Sequence, residues 1–209
     1  MTTTITGTTQ TDKRRTDVAI LRTDTGSVLV APAARWFDDA QPAELRALSR
    51  VLGPALDVGC GPGRHVAALT ERGVPTLGID ITTQALTHAR ARSVPVLERC
   101  VFESLPGTGR WRTVLLLDGN LGMGGDPVRL LSRVRELLAP DGMAIVEVEP
   151  PGADLAPCRV RFEIGDVAGP WFDWMAIDAP GLDEVCASAD LEVHECWYDD
   201  GRWFAWVGR

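Results

Sequence analysis

Cysteine is scarce and unpaired in this chain: five residues in 209, an odd number, with no C-x-x-C spacing. That pattern argues against a disulfide framework or a zinc site and for reduced thiols. The histidines, His65, His88 and His194, lie too far apart in sequence to suggest a metal cluster, so no metal is expected. No apolar run is long enough to span a bilayer, and the opening residues MTTTITGTTQTDKRRTDVAI lack the apolar core of a signal peptide. The expectation is a cytoplasmic protein with no membrane partner. Basic residues are outnumbered, 21 against 29 acidic, for a net charge of −8. A nucleic-acid binder needs a basic face, so that class is disfavoured.

What remains is ordinary globular material, 45% hydrophobic and 24% charged, long enough to bury one full core without covalent staples. Residues 1–17 are Thr-rich and aperiodic and read as a flexible tail. Two β-prone runs around Gly26 suggest a hairpin or extended arm, and residues 1–34 are taken as tail plus arm, with one domain over 35–209. Leu45, Leu48, Val51 and Leu52 recur at helical spacing. From Ala55 strands and helices alternate. Strands are expected at 55–58, 74–79, 94–99, 113–117 and 143–148, and helices at 64–72, 82–92 and from Asp126-Pro127 onward. The last has Leu130, Leu131, Val134, Leu137 and Leu138 on one face. Such alternation implies parallel strands joined by right-handed crossovers. A further helix with Leu182, Val185, Cys186 and Ala189 on one face precedes a hairpin around Asp199-Asp-Gly201. The expected fold is α/β: a Rossmann-like seven-stranded sheet, five parallel strands plus an antiparallel C-terminal hairpin, with helices on both faces.

Asp57-Val-Gly-Cys-Gly-Pro-Gly63 falls where the first parallel strand becomes a helix. Glycines there let the backbone turn sharply and approach a ligand with no side chain between. Asp80 closes the next strand, where a carboxylate can reach the hydroxyls of a ribose.

Over about residues 55–149 the chain resembles the class I S-adenosylmethionine-dependent methyltransferases. Ala55-LDVGCGPGRHVAAL-Thr70 is similar to their first motif and Leu77-GIDIT-Thr83 to the acidic second. Arg99-CVFESLP-Gly107 resembles the adenine-side loop, and Leu137-LAPDGMAIVEVEP-Pro151 the strand that ends the core. The resemblance implies a cofactor, S-adenosyl-L-methionine, with S-adenosyl-L-homocysteine as product. It gives Asp57 the amino end, Gly59, Cys60, Gly61 and Gly63 the passage beside ribose and methionine, and Asp80 the ribose hydroxyls. Ile81 would pack on adenine, Val101 would offer its amide with Phe102 nearby, and Asp118, Gly119 and Asn120 would face the sulfonium. Cys100 stands where many relatives carry an acid, and a thiol accepts weakly. Glu103 is the alternative acceptor, while a packed core thiol is the favoured reading of Cys100.

The partner implied is a small-molecule methyl acceptor, with no fixed catalytic residue. Substrate-side candidates are His65, Glu149, Trp36, Trp171 and Trp174. Each has a plainer reading: a surface histidine on the helix, a loop-capping carboxylate, aromatic padding of sheet edges. Arg129 and Arg133 read as the solvated face of their helix. Rival functions are a non-catalytic cofactor-binding protein on the same fold and a nicotinamide-dependent oxidoreductase. The oxidoreductase fingerprint, G-x-G-x-x-G, is broken here by Pro62-Gly63-Arg64.

Overall fold

A computed structural model describes residues 19–26, 28–31, 33–153, 156–164 and 167–209. The polar tail at 1–17 lies outside them. An arm forms β1 (Ala19–Thr23) and β2 (Val28–Ala31), and short helices α1 (Ala33–Phe37) and α2 (Pro42–Leu48) follow. The alternating core then runs β3 (Ala55–Val58), α3 (Arg64–Glu71), β4 (Thr76–Asp80), α4 (Thr83–Ala91), β5 (Val96–Glu98) and β6 (Trp111–Leu116). It continues through α5 (Pro127–Leu137) into β7 (Leu138–Val148). Asp126 caps α5 as its sequence suggests, accepting from the Arg129 amide at 2.9 Å. Leu138, read as the last apolar residue of that helix, instead opens β7 beside Trp111.

After the core come β8 (Cys158–Ile164), β9 (Val167–Ala168), β10 (Phe172–Trp174), α6 (Leu182–Ser188), β11 (Glu192–Asp199) and β12 (Arg202–Gly208). The main sheet has seven strands in the order β11-β12-β7-β6-β3-β4-β5. The pairs from β7 through β5 are parallel, and β12 is antiparallel to both β7 and β11. The C-terminal hairpin thus inserts one reversed strand between two that run with the core. Among the described residues no helix is long and apolar enough to cross a membrane.

The two-residue period of a strand decides what each face of this sheet carries. Leu56, Val114, Leu116, Ala144, Val146 and Ala205 point to the face covered by α5 and α6. Ala55, Leu115, Leu117, Ile145 and Phe204 point to the face covered by α2 and α3. By the same parity Asp57, Glu147 and Arg202 belong to this second face, at the carboxyl end of the parallel strands. Three charges are thereby committed to the interior.

Helix α2 corrects the sequence reading. Ala43, Glu44, Ala47 and Leu48 are its buried residues, whereas Leu45 and Leu52 are about half exposed. An apolar stripe read through Leu45 misses that the helix is rotated to bury Glu44, and Glu44 meets arginines there.

A second, smaller sheet has the order β10-β8-β1-β2, with β9 beside β8. The arm and the segment after β7 therefore form one antiparallel unit, with Leu21 opposite Phe162 and Phe172 opposite Val160. Its β10 docks on the turn after β6: the Gly124 amide donates to Asp173 O at 3.0 Å and the Met175 amide to Gly122 O at 3.1 Å.

Candidate active site

The glycine loop is held open by its own backbone. Gly59, Gly61 and Gly63 have φ of 72°, 52° and 80°, which an L side chain rarely adopts. A Cβ on Gly63 would lie 3.0 Å from Ala89 and Val94, so that glycine lets α3 approach α4; a Cβ on Gly61 would meet nothing within 4 Å. The loop presents bare backbone on that side. Cys60 differs from its expected role: its side chain is buried with Val66, Leu86 and Ala89, and burial pushes its thiol well above the usual range. Only its backbone can face a ligand.

Asp80 serves the loop directly. Its carboxylate accepts from the Gly61 amide at 2.9 Å and the Thr82 amide at 2.7 Å, joining the glycine loop to the start of α4. Ile81 beside it is 71% exposed, and Phe102, in the loop after β5, is partly exposed. Large apolar side chains left open next to a half-buried carboxylate suit a flat, apolar ligand face.

Asp57 is fully buried, and its Oδ2 has no hydrogen-bond partner. Burial pushes its carboxyl up to about 6, against the pull of His65 and Arg64. His65 contradicts the surface reading: it is 3% exposed, with Nδ1 3.8 Å from Asp57 and Nε2 3.6 Å from Glu44. It follows Arg64 into the first turn of α3, which faces the sheet rather than solvent.

Behind these groups lies a charged network that the sequence reading missed. Glu44 accepts from Arg64 (Nη2 at 3.0 Å), Arg35 (2.9 Å), Arg202 and the Gln41 amide (2.8 Å). Despite its burial, His65 and Arg64 hold the Glu44 carboxyl far below the carboxylate range. Arg64 also donates to Asp118 at 2.6 Å, and Arg202 to Glu147 at 2.7 Å and to Asp118 at 3.2 Å. The Asp118 amide closes the circuit on Glu147 at 2.6 Å. Asp118, expected to face the sulfonium, thus has its carboxylate committed to two arginines. A lone acid within the apolar run Met143–Val148 was the available signal for Glu147, and an acid in the short helix α2 was the signal for Glu44.

Asn120 donates to Val58 O at 2.9 Å and Gly59 O at 3.0 Å, pinning the turn after β6 to the glycine loop. A Cβ on Gly59 would lie 2.6 Å from that amide, so the close approach requires glycine.

On the adenine side Arg133 donates to Val101 O at 2.9 Å and Glu103 O at 2.8 Å, and Arg129 stacks 4.3 Å over the Phe102 ring. The two arginines fasten this loop rather than merely facing solvent. Cys100 is half-buried and outside the apolar clusters, so it is not the packed core thiol favoured from the sequence. Glu103 accepts from the Cys100 amide at 3.3 Å.

Trp174 lies on the turn after β6. A Cβ on Gly119 would be 3.1 Å, and one on Gly122 2.8 Å, from its indole. Together with Glu147, Glu149 and Ile177 it lines a small cleft at the end of β7. Trp171 stands apart, 4.7 Å from the Arg161 guanidinium, and Trp36 is half-buried in α1. Gly122→Ala should overpack the indole and cost about 1–3 kcal/mol. A thermal melt reads this as a clear drop in Tm, and an unchanged Tm would contradict the packing described.

A glycine loop after the first parallel strand, an acid after the second and a reversed strand beside β7 together define the Rossmann-like methyltransferase architecture. Residues 55–142 match the family model described as a methyltransferase domain, and the fold is the Rossmann-like one of solved S-adenosylmethionine-dependent methyltransferases. A SAM-dependent methyltransferase from Bacteroides fragilis, solved with S-adenosyl-L-homocysteine, superposes with a TM-score of 0.78 at 22% identity, covering 93% of this chain and 89% of that one. The 1,6-didemethyltoxoflavin N1-methyltransferase of Burkholderia thailandensis gives a TM-score of 0.61 at 22% identity over 84% and 80% of the two chains. A sugar N-methyltransferase from Streptoalloteichus gives 0.58 at 20% identity over 78% and 86%. No curated protein matches the sequence.

Proposed function

We propose that the protein transfers a methyl group from S-adenosylmethionine to a small molecule, in the cytoplasm, leaving S-adenosylhomocysteine. The observation that carries this is the buried Asp57 oxygen without a partner, beside an open glycine loop. A cofactor's ammonium end satisfies such a group. In this reading the backbone of Gly59 to Gly63 passes beside ribose and methionine. Asp80 accepts from the ribose hydroxyls with the lone pairs that Gly61 and Thr82 leave. Ile81 and Phe102 flank the adenine, the Val101 amide meets its ring, and Gly119 and Asn120 border the sulfonium side. Bound S-adenosylmethionine supplies an electrophilic methyl on sulfur, so the chain's own task is placement and exclusion of water.

The second sheet supports a roof over the acceptor: β10 lies against the turn after β6, where open α/β sheets bind ligands. Small-molecule acceptors are known for two structural relatives, one acting on 1,6-didemethyltoxoflavin and one on a sugar. The net charge of −8 speaks against a nucleic-acid acceptor. The test uses methyl-labelled S-adenosylmethionine and an extract of the source cells. Label should enter the low-mass fraction, and label confined to precipitated protein or nucleic acid would contradict the reading. Deleting residues 1–34 removes β1 and β2, one side of the second sheet. That variant should keep cofactor affinity and lose turnover.

Cofactor affinity should also depend on pH through Asp57. A bound ammonium favours the ionised carboxylate, whose value in the free protein is raised to about 6. Affinity for S-adenosylhomocysteine should therefore be level above about pH 6 and fall below it, by up to about tenfold per pH unit. Calorimetry across pH 5–8 checks this, and Asp57→Asn should flatten the profile.

A further inference from the structure

We infer that Glu149 selects a cationic amine as methyl acceptor and takes the proton its nitrogen must lose; this rests on the methyltransferase reading above. Four observations carry it. The cleft formed by Glu149, Glu147, Trp174, Gly119 and Ile177 lies at the carboxyl end of β7, and it has room for one water-sized group, about the size of an ammonium head. Its two acids are not equivalent. Glu147 is paired with Arg202 and accepts from the Asp118 amide, whereas among the described residues the Glu149 carboxylate has no hydrogen bond or ion pair. Trp174 lines the same cleft, two glycines allow its indole to sit this close to the turn, and an indole attracts cations. Partial burial, then the nearby Glu147, pushes the Glu149 carboxyl above its ordinary value, which suits a proton acceptor.

A neutral hydroxyl donates one hydrogen bond to an unpaired carboxylate, whereas a protonated amine donates and also supplies the missing charge. The proton balance is simple. The ammonium gives one proton to Glu149 and becomes a free amine. Its nitrogen lone pair forms the bond to the methyl carbon as the methyl–sulfur bond breaks, and that bond's electron pair stays on sulfur. Glu149 remains open to solvent and returns the proton there.

The probes are benzylammonium and benzyl alcohol, titrated by calorimetry into wild-type protein loaded with S-adenosylhomocysteine. Loading is measured first; failure to load overturns the methyltransferase reading and this proposal with it. In loaded protein benzylammonium should bind at least tenfold more tightly than the alcohol. Glu149→Gln, matched in shape and checked by its Tm and its affinity for S-adenosylhomocysteine, should abolish that preference. Glu149→Asp should restore part of it. Equal binding of the two probes, or a preference that survives Glu149→Gln, would overturn the proposal while leaving the cofactor reading intact.

Discussion

Replacing Glu44 by Gln should lower the Tm by roughly 6–20 °C. Glu44 is fully buried and accepts from Arg35, Arg64 and Arg202, so its loss strands cationic side chains that the fold has already desolvated. Removing one partner of a buried ion pair costs about 3–5 kcal/mol, and a chain of this size loses about 2–4 °C for each. The charge count explains the severity. Three carboxylates, Glu44, Asp118 and Glu147, balance the three arginines, and the amide of a glutamine leaves one positive charge uncompensated. Glutamine also presents N–H groups where only acceptors fit. The exposed pair Arg46–Asp199, with a contact of 2.6 Å, is the control: Arg46→Ala should leave the Tm almost unchanged, because solvent already satisfies both ends. If the two variants melted alike, the network would not be the structural centre described.

Asp80→Ala should weaken binding of S-adenosylhomocysteine by about a hundredfold, or ~3 kcal/mol, the scale for losing hydrogen bonds to a charged acceptor. The effect has two sources. The carboxylate would accept from the ribose, and it already fixes the glycine loop through the Gly61 amide and α4 through the Thr82 amide. Asp80→Asn separates them. One oxygen remains to hold a backbone amide, but the NH2 group cannot accept, so binding should fall by an intermediate factor. A loss confined to Asp80→Ala would assign the effect to the loop, not to the ribose.

Much of the architecture was legible because its signals are local. Glycine after a strand, Asp-Pro opening a helix and apolar runs of strand length each depend on a few adjacent residues. Strand and helix positions in the core were accordingly close, with ends displaced by a residue or two, except that β7 begins at Leu138 rather than Met143. The class of fold followed from the order of those signals. What stayed hidden depends on residues distant in sequence. Glu44 drew no reading from the sequence, since its partners lie 20 residues away at Arg64 and 158 away at Arg202. The same network draws His65 inward and takes the Asp118 carboxylate, so two site residues changed role together. Arg133 was misread for a similar reason, because its acceptors are carbonyls about 30 residues earlier. The pairing of the arm with β8 joins Arg22 to Glu163 across 141 residues, which no local pattern announces. The arm was read as a hairpin of its own, not as two strands of a second sheet that β8 and β10 complete.

The most direct test of the central claim is a calorimetric titration of the purified protein with S-adenosylhomocysteine, alongside NAD and the Asp80→Ala variant. The account predicts saturable one-to-one binding of S-adenosylhomocysteine to the wild type, a loss of about a hundredfold in Asp80→Ala, and no heat from NAD. Absence of binding, or equal affinity in wild type and variant, would contradict it.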